Sequence, residues 1–136
     1  MPSDSPPEFF IDPSLGRHIV PDALREAGAV VHVMAEVYGE RVGQGLADTD
    51  WLRDAGDAAW AVLMKDDRIR YRPAELDALT HSAVRAFCLT NANLRGAEMA
   101  QRFVEQLPRI SRIATERPGP YIYGVYADGV RPLWPR

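Results

Sequence analysis

The order of apolar runs along the chain predicts an α/β fold with a mainly parallel central sheet. Four short apolar runs, without apolar-polar alternation, are typical of strands that are buried on both faces. Segments with helical spacing lie between them, which indicates parallel strands covered by helices on both sides, in three layers. Near the C-terminus, YIYGVYADGVRPLWP alternates and contains Asp128-Gly129, which predicts an antiparallel hairpin at one edge of the sheet.

The first half of the chain supplies two of the strands and a helix between them. EFFI (8–11) is a buried strand that ends at Asp12-Pro13, a typical turn pair. Pro21 opens a helix over residues 21–27, and Gly28 stops it. AVVHVM (29–34) is the second strand. Residues 35–47 contain three glycines and little periodicity, and we interpret them as a mobile loop with room for a helical turn.

The second half repeats the alternation with clearer signals. A helix begins at Asp48, a suitable N-cap, and has an acidic first turn. AWAVLM (59–64) is the third strand and VRAFCL (84–89) the fourth, and a helix that starts with a proline spans residues 73–82 between them. A longer helix is predicted at residues 95–107.

Length and composition are those of one globular domain, which we place at residues 8–136 after a disordered tail at residues 1–7. The chain has 136 residues, 46% of them hydrophobic and 26% charged, with a net charge of -3. No apolar run is long enough to cross a bilayer and no secretory signal opens the chain, so we expect a cytoplasmic location without a membrane partner. The single cysteine and three scattered histidines make a zinc site improbable.

Three segments of the chain each place a carboxylate at the same edge of the predicted sheet. Asp12 follows the first strand and Asp66 the third. Asp48 begins the helix that leads into the third strand, and such a helix starts at the carboxyl edge because it runs antiparallel to the strands. Each of these aspartates could also serve only as a turn or cap residue. Together they indicate an active site.

Converging carboxylates repel one another unless a cation joins them, and Mg²⁺ prefers such oxygen ligands. An ion of this kind can generate hydroxide and stabilise the oxyanions of a phosphoryl displacement. Lys65 could contact phosphate or hold a carboxylate in place. Arg68, Arg70 and Arg72 alternate, and if extended they share one face beside the acids; a phosphate track and a solvated strand edge are both open interpretations.

Several short motifs, in this order and spacing, resemble the PIN-like nucleases, and especially the branch of VapC-type toxins. They are FFIDPSL at the first strand, ADTDW at a helix start, AVLMKDDRI at the third strand, and then PAE, FCLTNANL and GPYIYGVY. The resemblance runs from about Glu8 to the C-terminus. It implies a PIN-like sandwich and a ribonuclease that depends on Mg²⁺ or Mn²⁺.

Residue by residue, the resemblance carries the family's acidic positions onto Asp12, Asp48 and Asp66, with Lys65 beside the last. The chain also departs from the family's pattern. Met64 replaces a usual threonine and Ser14 a common asparagine. In the family, a second acid often stands two residues after the acid that Asp66 matches, but here Arg68 occupies that position. The nearest second acid is Asp67, directly after Asp66. The fourth metal ligand is therefore open between Asp50 and Asp67.

The function predicted from the sequence is therefore an endoribonuclease, the toxin of a toxin–antitoxin pair. Asp12, Asp48 and Asp66 would hold one or two metal ions, a metal-activated water would attack an RNA phosphodiester, and Arg68 and Arg70 would position the backbone. An antitoxin and a second copy of the chain are the expected protein partners. The alternatives are a catalytically inactive PIN-like module that binds RNA or protein, and, ranked lower, a receiver-like phosphoacceptor domain.

Overall fold

The computed structural model describes residues 6–65, 67–91 and 93–135, without the side chains of Asp67 and Arg68. Its strands are β1 (Glu8–Ile11), β2 (Val30–Val33), β3 (Ala61–Met64), β4 (Arg85–Leu89), β5 (Tyr121–Tyr126) and β6 (Gly129–Trp134). Its α-helices are α1 (Ile19–Glu26), α2 (Met34–Tyr38), α3 (Glu40–Gln44), α4 (Asp48–Asp57), α5 (Pro73–His81) and α6 (Gly96–Glu116). Short 3-10 helices cover Pro13–Leu15 and Asp67–Tyr71.

The strands form one sheet in the order β2-β1-β3-β4-β5-β6. All neighbours are parallel except β5 and β6, which are antiparallel. The predicted α/β fold with a mainly parallel sheet is confirmed. From β1 the chain moves to β2 on one side and then returns to β3 on the other, so the strand order reverses between β1 and β3. In open α/β sheets, ligands bind beyond the carboxyl ends of the strands at such a reversal.

Two apolar cores, one on each face of the sheet, make the three layers. Phe9 and Ile11 of β1 point to the face covered by α1 and α6, where Leu24 and Phe103 are fully buried. Phe10 points to the opposite face and packs with residues of α4 and α5. Successive side chains of a strand face opposite sides, so an unbroken apolar run is what a sheet covered on both faces requires.

The hairpin prediction is correct for β6 but incomplete for β5. Tyr126 pairs with Gly129 across a turn made by Ala127 and Asp128. β5 is also a parallel partner of β4, so it belongs to the main sheet, and β6 alone adds the antiparallel edge. The alternation in this segment reflects the edge strand and could not reveal the second partner of β5.

The structure corrects the predicted elements in two segments. Residues 35–47 are mostly helical, in α2 and α3, because these helices are short and largely exposed and so show no apolar periodicity. Helix α6 does not end at residue 107 but continues through Pro108 to Glu116. Ile110 and Ala114, beyond that proline, are buried in the core, and their packing offsets the roughly 3 kcal/mol that an internal proline costs a helix.

The shared face considered for the arginines after β3 depended on an extended segment. Residues Asp67–Tyr71 form a 3-10 helix instead, so that condition is not met. Ile69 is 5% exposed and joins the apolar core, which explains why the chain turns inward at this point.

No helix in the described part of the chain combines the length and apolar character that crossing a bilayer requires.

Candidate functional site

The candidate site lies at the carboxyl ends of β1 and β3, where the strand order reverses. The backbone N–H of Asp12 donates to the Leu63 carbonyl at 3.0 Å, which continues the ladder between these strands by one residue. Asp12 therefore lies at the carboxyl edge of the sheet, opposite the last residues of β3. Lys65 follows β3 directly. The structure places both residues at the edge predicted from the sequence.

A tight turn after β1 holds Asp12 at this edge. The Asp12 carboxylate accepts a hydrogen bond from the backbone N–H of Ser14 at 3.1 Å and caps the 3-10 helix Pro13–Leu15. The turn closes at Gly16, whose φ of +87° is a conformation that favours glycine. Proline at the first position and glycine at the end thus make this turn a local consequence of the sequence.

Asp48 is the first residue of α4, and the N-cap is Ala47, so the prediction of Asp48 as the cap is wrong. Its carboxylate accepts instead from the indole N–H of Trp51 at 2.9 Å. Trp51 is 2% exposed, so its ring is fixed in the core and its N–H holds the Asp48 carboxylate in one orientation.

Glu75, which the sequence offered only as part of the PAE motif and not as a ligand, lies beside Asp48. The two carboxyl groups lie within hydrogen-bonding reach of each other. The pKa of Glu75 is raised, first by burial and then by the hydrogen bond and charge of Asp48, while Arg72 opposes the shift. Arg72 lies 3.5 Å from the Glu75 carboxylate, and the Glu75 side chain is only 19% exposed.

The signal that could have identified Glu75 is the one that identified Asp48. Both are acidic residues in the first turn of a helix that leads forward into a parallel strand. Such helices begin at the carboxyl edge of the sheet, and α4 and α5 pack side by side on the same face. Their first turns therefore meet. A carboxylate near a helix N-terminus also benefits from the helix dipole.

The other metal ligands predicted from the sequence are Asp66, Asp67 and Asp50, and the structure does not add any of them to the pair of Asp48 and Glu75. Asp66 lies outside the described residues, as do the side chains of Asp67 and Arg68. Asp50 forms an exposed ion pair with Arg53 at 3.0 Å, on the solvent side of α4. Within the ranges that the structure describes, which exclude Asp66, no three metal-binding side chains form one group.

A cleft of about 490 Å³ opens beside Asp12, over the ends of β1 and β2. Ile11 and Met34 contribute apolar surface to its wall. Four of its charged wall residues form two ion pairs, Arg25 with Glu36 at 2.8 Å and Arg17 with Glu40 at 3.0 Å. The cleft therefore has the mixed character expected of a site for a polar ligand with an apolar part.

Residues 7–91 match the family described as "PIN like domain". The chain belongs to the PIN-like domain family. The match extends from β1 to the end of β4, so it includes Asp12, Asp48, Asp66 and Glu75. The family predicted from the sequence motifs is confirmed, and the six-stranded sheet is consistent with the PIN-like fold.

The PIN-like chain is also similar to a protein of Mycobacterium tuberculosis named "Putative ribonuclease VapC45". The two are 35% identical over 122 residues, which cover 90% of this chain and 88% of that protein. The similarity thus extends beyond the 7–91 segment and supports the VapC-type branch of the family. No solved structure matches the chain.

Proposed function

We propose that this PIN-like protein is a metal-dependent endoribonuclease that cuts RNA phosphodiester bonds at the carboxyl edge of its sheet. The observation that carries the proposal is the contact between the Asp48 and Glu75 carboxyl groups, beside the point where β1 and β3 diverge. Two carboxyl groups in contact, with Asp12 at the same edge, are a donor set suited to a hard divalent ion such as Mg²⁺ or Mn²⁺.

The proposed metal ligands are Asp12, Asp48, Asp66 and Glu75, which fills the place that the sequence motif left open. Asp50 is a weaker candidate than Glu75 for the fourth ligand because Asp50 already pairs with Arg53. Asp67 remains an alternative fourth ligand. A divalent ion held there would activate water for attack and stabilise charge on the phosphate. Trp51 and Arg72 orient the ligands, since the indole N–H holds Asp48 and the guanidinium lies beside Glu75.

Basic residues next to these acids are proposed to position the RNA backbone. Lys65 follows β3 directly, and Arg68 and Arg70 lie in the 3-10 helix that comes next. Arginine forms planar, bidentate contacts with phosphate. These charges would also attract RNA to a protein whose net charge is -3.

The proposed biological role is that of a VapC-type toxin that acts in the cytoplasm and is neutralised by an antitoxin. Its support is the similarity to the M. tuberculosis protein over nearly the whole length of both chains. A homodimer remains part of the proposal. Induced expression of this chain alone should arrest growth of a bacterial host, and Asp66→Asn should not. Unimpaired growth, with soluble wild-type protein present, would contradict the toxin role.

Nuclease activity is tested with a mixed RNA pool and protein freed from any co-purified partner. The wild-type protein should cleave the RNA in the presence of Mg²⁺ or Mn²⁺, and addition of EDTA should stop the cleavage. Asp66→Asn should lower the cleavage rate by about a hundredfold or more, since the step depends on charge stabilisation at the reacting phosphate.

The matched control is Asp57→Asn. Asp57 is exposed at the other end of α4, at the opposite edge of the sheet, so this variant removes one carboxylate without touching the site. It should cleave at the wild-type rate. If the wild type cleaves no RNA with either metal, the enzyme proposal fails and the inactive binding module remains.

A further inference from the structure

Tyr71 is a large aromatic side chain that projects into solvent next to the candidate site. It is 68% exposed and is the last residue of the 3-10 helix that follows β3. Its neighbour in sequence is Arg72, which contacts Glu75, and Glu75 in turn contacts Asp48. The ring is therefore attached to the chain beside the carboxyl pair.

The segment that carries Tyr71 is anchored on both sides. Before it, Ile69 is 5% exposed and packs in the core. After it, the Arg72 N–H donates to the Ile69 carbonyl at 3.1 Å, and the Arg72 carbonyl accepts from Leu76 at 2.9 Å as α5 begins. Leaving an aromatic ring in water forgoes the stabilisation of burial. Here a well-anchored backbone holds the ring outward.

A guanidinium accompanies the exposed ring. The Arg70 Cζ lies 4.8 Å from the centroid of the Tyr71 ring, within the range of a cation–π contact. An aromatic face with an adjacent cation is the arrangement by which proteins hold an unpaired base and its phosphate. The bases of a duplex already stack on one another and are not available to such a ring.

We infer that Tyr71 is a stacking platform for an unpaired base of the RNA, next to the phosphate that is cut. The inference rests on the proposed function, because it assigns this ring a role in holding that substrate. Tyr71 is then a positioning residue that determines specificity, and it takes no part in proton transfer.

Binding in EDTA tests this inference separately from cleavage. The probe is a fluorescent single-stranded RNA of mixed sequence, with the same strand in a duplex for comparison, measured by anisotropy. Tyr71→Leu keeps an apolar side chain but removes the aromatic face, and should weaken single-strand binding about tenfold. Tyr71→Phe keeps the ring and should bind like wild type. Duplex binding should be weaker than single-strand binding and should not change in Tyr71→Leu.

The matched control is Tyr71→Phe, and because the Tyr71 side chain is exposed, both variants should keep the melting temperature of the wild type. The inference is overturned if Tyr71→Leu binds single-stranded RNA like wild type, or if Tyr71→Phe loses as much binding as Tyr71→Leu. If RNA binding depends on Tyr71 but the wild type cleaves no RNA in the presence of metal, the nuclease proposal fails while the role of Tyr71 in binding RNA is retained.

Discussion

At the scale of single residues, the carboxyl pair of Asp48 and Glu75 is the feature with the most direct chemical consequence. Burial and the neighbouring acid both raise the pKa of Glu75, while Arg72, 3.5 Å away, opposes the shift. Two carboxylates this close repel each other when both are ionised, and a divalent cation would relieve that repulsion.

Glu75→Gln should lower RNA cleavage by about a hundredfold at a fixed Mn²⁺ concentration, because the amide keeps the shape of the side chain but removes its charge. The matched control is Asp77→Asn, an exposed acid on the same helix, which should cleave like wild type. Initial rates on one RNA substrate provide the measurement. Equal rates for the two variants would remove Glu75 from the site.

At the scale of elements, the spacing of α4 and α5 decides whether their first turns can meet. The two helices run side by side from the carboxyl edge, and they approach closely at their far ends. A Cβ atom at Gly56 of α4 would lie 2.6 Å from the Ser82 Cβ at the end of α5, and closer still to the Ser82 carbonyl oxygen. Glycine at this position therefore permits the close packing of the two helices that carry Asp48 and Glu75.

Gly56→Ala should destabilise the protein by about 1–3 kcal/mol, because the added methyl forces the helices apart. Alanine is the better helix former by about 1 kcal/mol, so a net loss identifies the clash as its cause. Chemical denaturation measures the change. RNA cleavage should also fall, since the first turns separate.

The control is Gly45→Ala, after α3, where a Cβ would meet its nearest atom only at 4.0 Å and φ is -97°. That variant should keep wild-type stability and activity. If Gly56→Ala is as stable as wild type, the spacing of the two helices does not depend on the small residue.

At the scale of the whole molecule, the proposed metal site would join parts that are distant in sequence and lie in different layers. Asp12 ends a central strand, while Asp48 and Glu75 begin helices on one face of the sheet. A ligand bound to all of them would stabilise the folded state only, since the unfolded chain does not bring them together.

Addition of Mn²⁺ should therefore raise the melting temperature, and EDTA should reverse the shift. At a hundredfold excess over its dissociation constant, the ion would add about 2.7 kcal/mol. Asp48→Asn should lose most of this shift, and Asp57→Asn, at the far end of the same helix, should keep it. Scanning calorimetry at fixed protein concentration measures both. An undiminished shift in Asp48→Asn would place the ion elsewhere.

Local patterns in the sequence determined the α/β class, the parallel sheet and the edge at which Asp12 and Asp48 lie. Unbroken apolar runs and helix starts are properties of a few neighbouring residues, so they can be interpreted without the rest of the fold. The turn at Asp12 is of the same kind, since Pro13 and Gly16 lie within four residues of it.

Only the tertiary structure decided the features that depend on contacts between distant segments. Helix α6 passes Pro108 because Ile110 and Ala114 are buried against the sheet, and the segment after β3 coils because Ile69 turns into the core. Glu75 meets Asp48 through the packing of α4 on α5, across 27 residues of chain, a distance over which no periodicity in the sequence extends. The sequence alone thus places Asp12 and Asp48 at the carboxyl edge, whereas the pairing of Asp48 with Glu75 results from the packing of two helices.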